Sequence, residues 1–111
     1  MASLVLTTVR SGLGVMEDSF DEDILTHLNA AVGVLNQLGV DTPLKLVDAE
    51  TKWESLFHGD VPLYMIQAYI LLKVRLMFDP PSTSFAVTAM ENQVKEYEQR
   101  INYIVDPVYM G

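Results

Sequence analysis

The sequence predicts an all-α protein: a small helical bundle of three main helices plus one short helix, closed by a C-terminal helical hairpin. Three observations carry this. Apolar residues recur at steps of three and four over 21–38 and again over 84–104, the spacing of one helix face. Residues 62–78 are apolar on almost every side, as a helix contacted from several directions must be. Gly39, Gly59 and the run Asp79-Pro80-Pro81 punctuate these segments. With 111 residues, half of them apolar and a fifth charged, the chain reads as one globular domain. Its parts are an arm over 1–16, a helical core over 17–106 and a tail over 107–111.

In the arm, residues 4–9 are rich in β-branched types, which fits either a short strand or a segment that orders only against a partner. Gly12 and Gly14 break it. No Lys-Ser/Thr follows the glycines, so the stretch is a linker rather than a phosphate loop. Glu17, Asp18, Asp21, Glu22 and Asp23 then place five carboxylates in seven residues, directly ahead of a helix. Negative charge there favours the free N–H groups of a first turn and its dipole. The run lacks the mid-loop glycine and the twelfth-place glutamate of a calcium loop. The first main helix spans 21–38 on a stripe of Leu25, Leu28, Val32 and Leu35, with Gly39 as its left-handed stop. Gly33, in its middle, is read as a point of close approach for another backbone. His27 lies four residues after Asp23, but two ligands without a third favour a polar pair over a metal site.

Residues 40–47 are a connector. Asp48 or Thr51 then caps a short helix, Thr51 and Glu54 having capping-box spacing. Trp53, Leu56 and Phe57 fall on its inner side, with the tryptophan as a core plug. The apolar helix over 62–78 is central, and Lys73 and Arg75 stand near its C-terminal end, where cations meet the dipole. Asp79-Pro80-Pro81 turns the chain, because proline disfavours helical geometry in the residue before it. Ser82 or Ser84 caps the last helix. Its seam of Val87, Met90, Val94, Tyr97, Ile101 and Ile104 lies along one side, and Glu91–Lys95 and Glu96–Arg100 make two i,i+4 pairs. Asp106 and Pro107 close it, and the tail orders on contact. The hairpin holds more apolar surface than one small monomer needs. Its seam, the acids Asp18, Asp21, Glu22 and Asp23, and the cations Lys73 and Arg75 are the candidate subunit or partner interface.

Catalysis finds no support in the residues. There is no cysteine, no HExxH, no Gly-rich nucleotide loop and no basic-aromatic stripe, and His58 beside Gly59 is weak evidence for chemistry. The sequence calls for no cofactor and no metal. A net charge of −8 argues against gripping a phosphate backbone, and serves solubility equally. Residues 61–78, broken by Gln67, Lys73 and Arg75, are borderline short for a membrane span, which needs about 20 apolar residues.

One pattern goes further. An acidic cluster opens a helix that continues through Ile24, Leu25, Leu28, Ala30, Ala31 and Val32. After a connector comes Gln67-Ala68-Tyr69-Ile70-Leu71-Leu72-Lys73-Val74-Arg75-Leu76-Met77-Phe78-Asp79-Pro80-Pro81-Ser82, then an amphipathic helix. Over about residues 17–106 this resembles the small all-helical head–tail connector (adaptor, or head-completion) proteins of long-tailed bacteriophages. The resemblance implies a structural virion protein of the neck, made in the host cytoplasm. It implies a homo-oligomeric ring, commonly of twelve subunits, joining the portal protein to a tail-side stopper or tail-terminator protein. DNA would pass through without specific binding, and neither membrane nor catalytic residues are involved. Residues 1–14 match no feature of that family.

The alternative is a small acidic interaction or regulatory protein, an inhibitor or a DNA mimic. Mimicry needs acids spread over one continuous face. Here they cluster at 17–23, and residues 61–81 net +1 from Lys73 and Arg75 against Asp79.

Overall fold

The computed structural model describes residues 4–42, 46–57 and 59–105. Among these residues five helices follow in order: α1 (Val5–Leu13), α2 (Asp21–Gln37), α3 (Trp53–Leu56), α4 (Leu63–Phe78) and α5 (Ser84–Val105). The all-α bundle is as expected, with four substantial helices rather than three. The additional one is α1. Val5, Leu6 and Val9 face inward at helical spacing and are buried, so this segment is neither a strand nor a detached arm. Strand preference in such residues is largely a packing preference. Burying three of them at roughly 1.5–3 kcal/mol each outweighs the small penalty of β-branched residues in a helix. Gly12, read as a breaker, sits within α1. A Cβ there would stand 2.7 Å from Leu71 Cδ1, so the bare backbone lets α1 lie close on α4.

α2 opens on Asp21, Glu22 and Asp23 as the charge pattern anticipated, and the chain leaves it through Gly39 at φ +105°. Gly33 does not serve a close approach: nothing lies within 4 Å of the Cβ it lacks. Asn29 ties α2 to the connector by donating to Val47 O at 3.0 Å and accepting from Val47 N–H at 2.7 Å. The capping box before α3 does not form. Lys52 stands at the cap, without a side-chain bond. Thr51 Oγ1 instead donates to Asp48 Oδ1 at 3.0 Å, and Glu50 N–H donates to the same oxygen at 2.9 Å, which closes a turn. Trp53 and Leu56 are buried as expected, and Phe57 stacks on the indole at 6.3 Å. Trp53 Nε1–H donates to Thr8 Oγ1 at 3.0 Å, so the plug is fastened to α1.

α4 is the centre: it packs against α1, α2 and α5 and buries Met65, Ile66, Tyr69, Ile70 and Val74. Aromatic contacts fix its C-terminal end beside the start of α2, Phe78 meeting Phe20 at 5.7 Å and His27 at 6.5 Å. Past the proline corner, Thr83 caps α5 rather than Ser82 or Ser84, its Oγ1 accepting Ala86 N–H at 3.2 Å. The far end of α5 returns to α2, where Asn102 Nδ2 donates to Leu38 O at 3.0 Å. A Cβ on Gly39 would lie 2.6 Å from Val105 Cγ1. Among the described residues no helix is long and apolar enough to cross a membrane. The expected close of α5 at Asp106 and Pro107, the tail over 107–111 and His58 lie outside the described residues.

Candidate assembly surface

The surface builds from the way α5 sits on α4. Of 22 residues in α5, Val94 and Ile101 are the two that are buried. Tyr97 and Ile104 pack partly against the core beside them, and Val87 and Met90 are half-buried. The seam does lie along one side, and that side faces α4. Its two deepest members therefore spend their side chains on the chain's own core.

One polar cluster pins α5 to α4. The buried Tyr69 donates its hydroxyl to Glu98 Oε2 at 2.8 Å, and Lys73 Nζ reaches the same oxygen at 4.0 Å. Burial first, then the hydrogen bond and charge of Glu98, push the Tyr69 phenol far above its ordinary pKa. Lys73 is thus engaged within the chain. So is Asp21, which meets Arg10 Nε at 3.4 Å and ties α2 to α1. Asp18, Glu22, Asp23 and Arg75 are exposed and form no ion pair among the described residues. Glu96 and Arg100 pair at 2.5 Å on the outside of α5, whereas Glu91 and Lys95 do not close.

The structure brings forward apolar residues that periodicity did not single out. Phe85 is 85% exposed, Tyr64 70% and Tyr103 57%. Phe85 precedes the seam by two positions, and a half-turn offset alone marks it as outward-facing. A groove of about 430 Å³ runs beside α5, with Ala68, Leu71 and Leu72 on its floor and Gln93, Tyr97 and Arg100 on its wall. On the other flank of α5 lies a groove of similar size with Lys73, Lys95, Glu91 and Glu98 among its lining. No group of three His, Cys, Asp or Glu side chains converges among the described residues, and His27 is engaged edge-on with Phe78.

The family model described as a phage connector protein matches residues 5–108. The chain belongs to the phage connector protein family. Its role is accordingly structural, as a component of the phage particle. No curated protein and no solved structure gives a match to the connector. The family match begins at the first residue of α1, so the segment that resembled nothing in sequence belongs to the connector unit.

Proposed function

We propose that copies of the connector close into a ring at the neck of the phage particle, between the portal and a tail-side stopper or tail-terminator protein. The ring extends the channel through which DNA is packaged and ejected. The observation that carries this reading is the family match over 5–108, which takes in every helix of the fold. Charge supports it. A subunit of net −8 presents like charge to a phosphate backbone and so does not retain passing DNA. The exposed carboxylates Asp18, Glu22 and Asp23 add to that like charge. Among the described residues, six of the nine large apolar side chains left exposed, Leu63, Tyr64, Met77, Phe85, Tyr103 and Val105, lie on the α4–α5 hairpin, where assembly would cover them.

Negative-stain microscopy of the purified connector mixed with its portal tests the proposal. A ring coaxial with the portal is the expected result. A chain that remains monomeric and never binds the portal, with no density assignable to it in the particle's neck, sinks it.

A further inference from the structure

We draw no further inference here: the strongest candidate, the apolar surface of the α4–α5 hairpin, where Phe85 and Tyr64 stand exposed and Ala68, Leu71 and Leu72 floor a groove beside α5, carries nothing because nothing in the structure shows what covers it.

Discussion

Tyr69 on α4 and Glu98 and Val94 on α5 show how side chains at one helix–helix contact carry different burdens. Val94 is 5% exposed and holds α5 to the core by packing alone. Val94→Asp would seat a charge there with no partner, at a cost on the order of 3 kcal/mol or more. Glu98→Ala removes the acceptor of a buried phenol, and a stranded hydroxyl costs about 1–3 kcal/mol. Tyr69→Phe removes the donor instead and leaves Glu98 near Lys73 and partly open to water, a loss of about 1 kcal/mol. Urea unfolding followed by circular dichroism should rank the three losses in that order. The same hydroxyl sets a pH dependence. Its pKa is raised in the fold, chiefly by burial and then by Glu98, so the neutral form is favoured there. Above the ordinary tyrosine value of about 10, the unfolded chain gives up this proton while the folded chain keeps it. The unfolded state then binds fewer protons, and stability falls as pH rises. The contribution is whole below that value. Comparing denaturation midpoints at about pH 9 and pH 11, Tyr69→Phe should lose less stability than the parent.

At the scale of elements, the two flanks of α2 separate what a glycine does from what its position suggests. Gly33 is exposed in mid-helix with open space around the missing Cβ. Gly33→Ala should raise stability by roughly 0.5–1 kcal/mol, visible as a higher melting temperature. Gly39→Ala should lower it, because φ is +105° and the new methyl would meet Val105. Periodicity placed α2, α4 and α5 to within a residue or two, because each buries a stripe long enough to repeat several times. It missed α1, nine residues long, where three inward side chains are too few to establish a period against a run of β-branched types. It also misplaced the caps. A capping residue is chosen by where the chain turns, and Thr51 and Thr83 differ in that respect more than in chemistry. The candidate interface was legible as a region rather than as residues. Val94 and Ile101 stand on the seam because they face α4, whereas Phe85 and Tyr64 matter because they do not. Lys73 and Asp21 look free in sequence, since their partners Glu98 and Arg10 lie 25 and 11 residues away and meet them through the fold.

For the whole molecule the question is whether copies of a −8 chain can assemble, and the balance is one of range. From its dimensions, neighbouring centres lie about 30 Å apart, and in water without salt the net charges alone would repel by roughly 9 kcal/mol. With a Debye length of about 30 Å, near 10 mM salt, roughly 3 kcal/mol of that remains. With the ~8 Å of physiological ionic strength, only about 0.2 kcal/mol is left. Against this, exposed ion pairs made across the contact by Arg75 or Lys95 are worth about 0–1 kcal/mol each, and they too are screened. Long-range repulsion is the larger of the two effects, so salt should help. Self-association of the connector, measured by sedimentation velocity at fixed protein concentration, should strengthen between about 10 and 150 mM salt by up to roughly a hundredfold. An apolar contact on the hairpin, whose residues 61–105 hold four acids and four bases, gives this trend, because its own energy is almost indifferent to salt over that range. Association that weakens steadily with salt would mean that cross-copy ion pairs outweigh apolar contact. Acids of 17–60 on one copy meeting Arg75 or Lys95 of the next, rather than apolar contact between hairpins, would then hold the copies together.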